Sequence, residues 1–258
     1  MASTLASHEI FGFRITPITT AEILDLIAEN VADTTTCVIA SQNVHGLYKY
    51  FTDDAFPKLH ERAHVRIDGM PLVWLARLHG LPVTRRHRAA MIDCFPELLK
   101  RSANEGWRVF YLGGRPDVMQ NGRRNLREAY PGLQIDGHHG FFSVDPDSSE
   151  NRSVIDQINA FRPHVLMVGM GMGRQERWIL DNQDRLRSNC IWTCGALLEY
   201  FAGAAPIAPR WLGQIGLEWA YRLCSNPRRF TWRYLVEPWL VVGLIATRRT
   251  RRRFALRS

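Results

Sequence analysis

The sequence predicts an α/β fold: a Rossmann-like parallel sheet flanked by helices, followed by a C-terminal helical appendage. Three observations support this prediction. Short apolar runs of strand length alternate with segments of helical periodicity from residue 36 to about residue 200. Small or polar residues follow most of these runs, as strand-to-helix turns require. With 258 residues, of which 46% are hydrophobic, the chain is long enough to bury a sizeable core.

Six strands are predicted, each a short apolar run that ends at small or polar residues. They cover residues 36–40, 63–67, 107–112, 133–136, 165–169 and 190–193. Apolar residues at helical spacing predict helices between them. The helices cover residues 43–50, 70–79, 93–104, 116–130 and 148–161, and another helix is entered at 195–197. We predict one catalytic core over residues 1–208 and an appendage over residues 209–258.

Positive charge is concentrated in the predicted appendage. The chain has a formal net charge of +8, and only Glu237 opposes the arginines that follow residue 221. Residues 234–246 are strongly apolar, but Glu237 and Pro238 interrupt them, and the run is shorter than the ~20 residues of a spanning helix. A Trp-containing apolar segment flanked by arginines is typical of an anionic membrane surface.

Three other interpretations of this segment are a helix packed on the core, a contact between copies of the chain in a homo-oligomer, and a nucleic-acid arm. A nucleic-acid arm leaves the apolar run unexplained, so no nucleic acid is expected as a partner. The N-terminus lacks the basic patch and continuous apolar run of a signal peptide. We expect a cytoplasmic protein, peripheral on the inner face of the cell membrane. The five cysteines are expected to be buried, reduced thiols.

Asp68 is the candidate general base. It stands in Val65-Arg66-Ile67-Asp68-Gly69-Met70-Pro71-Leu72, where an apolar run ends in a carboxylate and a helical segment begins. Ligands of open parallel sheets bind beyond the carboxyl ends of the strands, which is where this aspartate is expected. The alternative is that Asp68 only caps the following helix.

Small-residue turns also follow the other strands. They comprise Ser41-Gln42-Asn43, Gly113-Gly114, the glycines of residues 169–173, and Gly195. Backbone amides and helix N-termini at such turns favour phosphate, so a phosphate-rich ligand such as a nucleotide sugar is predicted.

No cofactor and no metal are predicted. In the glycine-rich segment 169–174, Arg174 stands where a dinucleotide fingerprint needs its third glycine, which argues against a nicotinamide cofactor. Asp145-Pro146-Asp147 has the D-x-D form of a metal site, but it directly precedes a predicted helix. We interpret this segment as a helix cap, formed by Asp147 or Ser148.

The sequence also resembles the WecG/TagA/CpsF glycosyltransferases, family 26. Four motifs carry the resemblance across nearly the whole chain. They are Ser41-x-Asn43; Arg66-x-Asp68-Gly69-Met70-Pro71; Gly171-x-Gly173-x-Gln175-Glu176-x-Trp178; and Gly216-Leu217-Glu218-Trp219-x-Tyr221-Arg222-Leu223 with Pro227-Arg228-Arg229.

The resemblance implies an inverting, metal-independent transferase with a UDP-sugar donor and a polyprenyl-diphosphate-linked acceptor at the inner membrane face. It implies that Asp68 is the base, that Ser41, Asn43 and Gln175 lie in the sugar-nucleotide pocket, and that the appendage completes the site. Arginines are expected to meet the charge of the leaving UDP. The full set of predicted binding residues is Ser41, Asn43, Gly69, Arg88, Asp93, Gly113, Gly114, Gly171, Gln175, Glu176, Gly195, Arg222, Arg229 and Arg233.

Departures from the family pattern leave the donor sugar open. Met91 replaces a glycine between Arg88 and Asp93, Glu199 replaces a frequent aspartate, and Ile207 replaces a frequent arginine. N-acetylmannosamine, its uronic acid and a neutral hexose all remain candidates. Two other classes of function also remain open: a Rossmann-like NAD-dependent oxidoreductase, and a non-catalytic basic module that binds membrane or nucleic acid. For Arg222, the alternative to a role in the active site is a helical ion pair with Glu218.

Overall fold

The computed structural model describes the backbone of residues 5–255 and the side chains of residues 5–247. Its centre is a six-stranded sheet in the order β4-β3-β8-β7-β5-β6, in which all neighbours are parallel. The strands are β3 (Cys37–Gln42), β4 (His64–Ile67), β5 (Arg108–Gly113), β6 (Gln134–His138), β7 (Val165–Gly169) and β8 (Cys190–Thr193). The predicted α/β class is confirmed, and every predicted strand is present with ends within two residues of those expected.

Helices cover both faces of the sheet. They are α1 (Thr20–Ala32), α2 (Val44–Thr52), α3 (Ala55–Glu61), α4 (Met70–Leu78), α5 (Met91–Glu105), α6 (Pro116–Ala129), α7 (Ser149–Phe161), α8 (Arg174–Asn182) and α9 (Leu198–Phe201). Successive strand residues point to opposite faces. In β5, Val109 and Tyr111 pack with α1, α5 and α6, whereas Phe110 and Leu112 pack with α3, α7 and α8. The result is a three-layer core.

A short antiparallel hairpin, not predicted from the sequence, precedes the sheet. Its strands are β1 (His8–Ile10) and β2 (Phe13–Ile15). The hairpin contributes Ile10, Phe13 and Ile15 to a third apolar cluster, which also includes residues of α2 and α4. This cluster supports the edge of the sheet where β4 ends.

The C-terminal appendage is helical, as predicted. Its elements are α10 (Arg210–Gln214), α11 (Glu218–Ser225), α12 (Pro227–Thr231), a π-helical turn (Trp232–Val236) and α13 (Glu237–Ala255). Helix α13 packs on α2, and Val241 is buried in the third cluster. The side chains of the arginines after Thr247, which carry part of the predicted basic tail, lie outside the described residues.

The cysteines follow the expectation with one exception. Cys37, Cys94, Cys190 and Cys194 are buried thiols, but Cys224 on α11 is exposed. The expectation that all five are buried is therefore wrong at Cys224, because this residue lies on the exposed side of a short surface helix.

Candidate active site

The carboxyl ends of four neighbouring strands border a cavity of about 670 Å³, here called the large cavity. The strands are β3, β4, β7 and β8, and residues of the appendage complete the cavity wall. Nine predicted site residues line it: Ser41, Asn43, Asp68, Gly171, Gln175, Gly195, Arg222, Arg229 and Arg233. The fold therefore brings most of the predicted set to one place.

A second cavity of about 320 Å³, here called the small cavity, shares part of its wall with the first. Asn43, His45, Asp68, Glu218, Arg222 and Arg233 border both cavities. The small cavity also has apolar walls, formed by Met70, Leu72, Trp219, Tyr234 and Pro238, and it includes the predicted residues Gly69 and Arg88. Asp68 is thus accessible from a polar space and from a more apolar one.

The Asp68 carboxylate is held by two side chains. Asn43 Nδ2 lies 3.4 Å from Asp68 Oδ2, and Arg66 Nη1 lies 3.6 Å from Oδ1. The N-cap of α4 is Gly69, whose φ of 135° favours glycine, and within the described chain no side chain caps this helix. The interpretation of Asp68 as only a helix cap is therefore wrong.

Three guanidinium groups control the charge of Asp68. Burial alone would raise the pKa of this carboxyl, but the neighbouring positive charges outweigh burial and hold the pKa below its ordinary value. They belong to Arg66, Arg222 and Arg88, and the Asn43 amide adds to their effect. Asp68 is consequently ionised at neutral pH and able to accept a proton.

Arg66 is a part of the site that the predicted residue set omits. Its side chain is almost fully buried, donates to Ser41 Oγ at 2.6 Å and also donates to the Ala89 carbonyl. Ser41 Oγ in turn lies 3.2 Å from the Thr193 carbonyl, so Arg66 links β4 to β3 and β8. The signal was present in the sequence, because an arginine inside an apolar strand must find partners when buried.

Two predicted arginines from the appendage have carboxylate partners while they border the large cavity. Arg222 pairs with Glu218 one helical turn away, and Arg229 Nη1 lies 2.8 Å from Glu199 Oε2. The two interpretations of Arg222 are therefore compatible, because the same side chain forms the ion pair and borders both cavities. Arg233, the third predicted arginine, also borders both.

An ion-pair network joins the appendage to the core. Arg88 Nη1 lies 2.9 Å from Asp93 Oδ2, and Arg88 Nη2 lies 2.7 Å from Glu218 Oε2. Arg210 reaches the same aspartate at 2.5 Å. Arg88 and Asp93 thus anchor α10 and α11 to the sheet edge next to Asp68.

Replacing Glu218 with alanine is expected to destabilise the full chain by about 2–3 kcal/mol, because it leaves the largely buried Arg88 guanidinium short of a charged partner. Denaturant unfolding of the purified protein measures this loss. Glu97→Ala, which breaks an exposed pair with Lys100, is the control and should cost less than about 1 kcal/mol. Equal stabilities of the two variants would contradict the anchoring role.

A second hydrogen-bond network connects the glycine turns after β7 and β8. Gly173 N donates to Glu176 Oε2 at 2.5 Å, and Gln175 Nε2 donates to Glu176 Oε1 at 2.8 Å. Gly195 N donates to Gln175 Oε1 at 3.2 Å. Burial raises the pKa of Glu176 to about 7, although these donors act in the opposite direction.

Four predicted binding residues are absent from the walls of both cavities, as the described residues define them: Asp93, Gly113, Gly114 and Glu176. Gly113 has a packing reason to be glycine, since a Cβ there would lie 2.3 Å from the Gly169 carbonyl oxygen. Gly114 N-terminal to α6 belongs to the same turn. Asp93 belongs to the ion-pair network of Arg88, and Glu176 belongs to the network of the glycine turns.

Several cavity residues were not predicted. His45 borders both cavities, and its Nδ1 lies 2.6 Å from Glu237 Oε2 on α13. Burial and the charge of Arg233 lower the pKa of His45 despite this carboxylate. Lys49, Tyr200 and Tyr221 also border the large cavity. Their positions depend on how α2, α9 and α11 are oriented, which no local pattern reveals.

The D-x-D segment forms a cap, as predicted. Ser148 Oγ accepts from Asn151 N at 3.1 Å, and Asp145 Oδ1 accepts from Asp147 N at 3.0 Å. Within the described part of the chain, no three His, Cys, Asp or Glu side chains converge as a metal-ligand set.

Comparison with known proteins agrees with the family resemblance seen in the sequence. The model of the glycosyl transferase WecG/TagA/CpsF family matches residues 8–255. Relatives from Staphylococcus aureus strains MW2 and NCTC 8325 / PS 47 are 27% and 28% identical to this chain over 230 residues. The alignments cover 88% of this chain and 88% of each relative. Both relatives are named N-acetylglucosaminyldiphosphoundecaprenol N-acetyl-beta-D-mannosaminyltransferase.

Proposed function

Since the chain belongs to the WecG/TagA/CpsF family and is a glycosyltransferase, we propose that it transfers an N-acetylmannosamine-type sugar, with inversion and without a metal, from UDP to a polyprenyl-diphosphate-linked saccharide. The product serves cell-surface polysaccharide synthesis. One observation carries this proposal: Asp68 borders both a polar cavity and an adjoining, more apolar cavity. Family membership removes the oxidoreductase and the non-catalytic module as alternatives.

The large cavity is the proposed donor site. Gly171 and Gly195 place backbone close to the cavity, where a diphosphate can approach amides without side-chain obstruction. Arg222, Arg229 and Arg233 supply positive charge to the leaving UDP. These arginines meet the charge requirement that a divalent cation meets in other transferases.

The small cavity is the proposed acceptor site. Trp219, Tyr234 and Pro238 give it apolar surface suited to the first isoprene units, while Arg88 and Arg233 suit the acceptor diphosphate. This arrangement brings the acceptor hydroxyl to Asp68 from one side and the anomeric carbon of the donor from the other. It favours the polyprenyl-linked acceptor named in the relatives from Staphylococcus aureus.

The proposed reaction is a single displacement. The acceptor oxygen forms a bond to the anomeric carbon while the bond from that carbon to the UDP oxygen breaks. The electron pair of the broken bond stays on the UDP oxygen. The hydroxyl proton moves to the Asp68 carboxylate. A carboxylate with a lowered pKa is sufficient, because the attacking hydroxyl becomes strongly acidic as the new bond forms.

The appendage is also the proposed membrane contact. Trp211, Trp232, Leu235, Trp239 and Val242 are exposed in this region, and Trp239 retains 75% of its accessible surface. None of the helices within the described residues is long and apolar enough to cross a bilayer. We propose that these side chains enter the interface of the inner membrane face, next to anionic headgroups.

Trp239→Ser is expected to weaken binding to vesicles containing anionic lipid by about tenfold, because it removes an exposed aromatic side chain that would become buried on entering the membrane interface. Co-sedimentation of the full chain with vesicles measures the change. Phe141→Ser is a matched control, since Phe141 is 67% exposed on the loop after β6. Similar losses in both variants would contradict a contact centred on the appendage.

A donor screen tests the proposed activity. Purified full-length protein is incubated with a polyprenyl-diphosphate-N-acetylglucosamine acceptor, EDTA and separate UDP-sugars: N-acetylmannosamine, its uronic acid and neutral hexoses. We expect transfer from UDP-N-acetylmannosamine, with a rate in EDTA close to that in magnesium. Loss of activity in EDTA would contradict metal independence, and transfer from only another UDP-sugar would correct the donor.

A further inference from the structure

Glu176 lies behind the cavity wall, where neither the reaction nor substrate contact has so far given it a role. We propose that Glu176 is a positioning residue, whose ionised carboxylate ties the glycine turns after β7 and β8 together in the geometry that binds the donor diphosphate. The inference rests on the proposed function, because it assigns these turns to the donor. Both turns reach the large cavity, at Gly171 and Gly195.

The hydrogen bonds form an unbroken chain from one turn to the other. It runs from Gly173 N to Glu176 Oε2, from Glu176 Oε1 to Gln175 Nε2, and from Gln175 Oε1 to Gly195 N. Glu176 and Gln175 are each 1% exposed, so within the described structure solvent offers little replacement for a lost partner. The spacing of the two turns therefore depends on this pair of side chains.

The order of donors and acceptors along this chain of hydrogen bonds requires an anion at position 176. The two ends of this hydrogen-bond chain, Gly173 N and Gly195 N, are both donors. Between them, the Gln175 amide contributes one donor and one acceptor. Only a group that accepts on both sides satisfies all the donors. An ionised carboxylate does this, whereas an amide at position 176 leaves two donors facing each other, however either side chain is rotated.

Protonation of Glu176 produces the same conflict, because one carboxyl oxygen then carries a proton toward a donor. Burial raises the pKa of Glu176 to about 7, and the charge of Asp53 also raises it. Asp53 lies near the Gly173 turn, as does Lys49, and Arg177 Nη2 is 3.6 Å from Asp53 Oδ1. Since only the ionised form of Glu176 holds the turns in the binding geometry, donor binding is expected to weaken as the pH falls from 8 to 6.

Two variants separate this role from a general effect on folding. Glu176→Gln breaks the polarity of the chain with little change in side-chain shape. The double variant Gln175→Glu/Glu176→Gln restores it, because position 175 then accepts on both sides and the pair keeps its total charge. Asn182→Ala is the structural control: Asn182 is equally buried on α8 but bonds to Asn151 and the Trp178 carbonyl.

The experiment measures the dissociation constant of UDP for the full-length protein at pH 6 and pH 8. At pH 8 we expect Glu176→Gln to weaken UDP binding by about tenfold and Asn182→Ala to stay within about twofold of wild type. Because Gln175 itself lines the donor cavity, the double variant is judged by denaturant unfolding, in which it should regain most of the stability that Glu176→Gln loses. At pH 6 the difference between wild type and Glu176→Gln should shrink, because the wild-type carboxyl is then mostly protonated and has the same conflict as the amide. Titration of UDP itself affects both proteins equally.

Two results would overturn the inference: a Glu176→Gln variant that binds UDP like wild type at pH 8, or a double variant no more stable to denaturant than the single one. Wild-type protein that binds no UDP at either pH would instead overturn the assignment of the nucleotide to the large cavity, and with it this role of Glu176.

Discussion

Asp68→Asn is expected to lower the rate of sugar transfer by about 10²–10⁴-fold, the range associated with loss of a general base. The amide keeps the size of the side chain but cannot take the acceptor proton at neutral pH. UDP binding should not weaken, because the substitution removes a negative charge from a wall that also holds Arg66 and Arg222. The measurements that check these two expectations are the transfer rate at saturating substrates and the dissociation constant of UDP.

Asp117→Asn provides the matched control for this substitution. Asp117 lies in the first turn of α6 and pairs with Arg115 on the surface, so its loss should leave the transfer rate within about twofold of wild type. Wild-type activity in Asp68→Asn would remove Asp68 as the base, whatever the control shows.

Arg222→Gln is expected to reduce the turnover number by about 10²–10³-fold, the loss seen when one donor to a developing negative charge is removed. Arg222 borders both cavities and belongs to the group of charges around Asp68. Arg222→Lys should recover part of the rate, because it keeps the charge but loses the planar fork that matches phosphate. The measurement is the turnover number at saturating UDP-sugar.

Arg228→Gln is the control for Arg222, since Arg228 is an exposed arginine in the same appendage and does not belong to the described lining of either cavity. Its turnover number should be close to wild type. If both substitutions lower the turnover number equally, the effect comes from the overall charge of the appendage and not from Arg222 at the site.

The sheet was predictable because each strand is an apolar run with a turn behind it. Runs such as 107–112 and 165–169 are buried on both faces and carry a strong signal on their own. The N-terminal hairpin was missed because its strands have only three residues each and two of their side chains, Glu9 and Arg14, are charged. Its stability comes from the third apolar cluster, which forms only in the folded chain.

The site was predictable at the strand ends and less so elsewhere. Asp68, Ser41 and Gly195 lie at or just beyond the carboxyl ends of strands that meet at one edge, so their proximity follows from the parallel sheet. The role of Glu218 as a bridge between Arg88 and Arg222 depends on how α11 lies against the core. Arg88 and Glu218 are 130 positions apart, and the sequence around either residue does not predict their contact.

The anomeric configuration of the transferred sugar tests the central claim most directly. The claim is a single displacement at the shared wall of the two cavities, with Asp68 as base. With an α-linked UDP-sugar and the lipid-diphosphate acceptor, wild-type protein should give a β-linked product, which nuclear magnetic resonance of the purified product identifies. An α-linked product would contradict the account, because retention requires a second displacement or a different arrangement of the reacting groups.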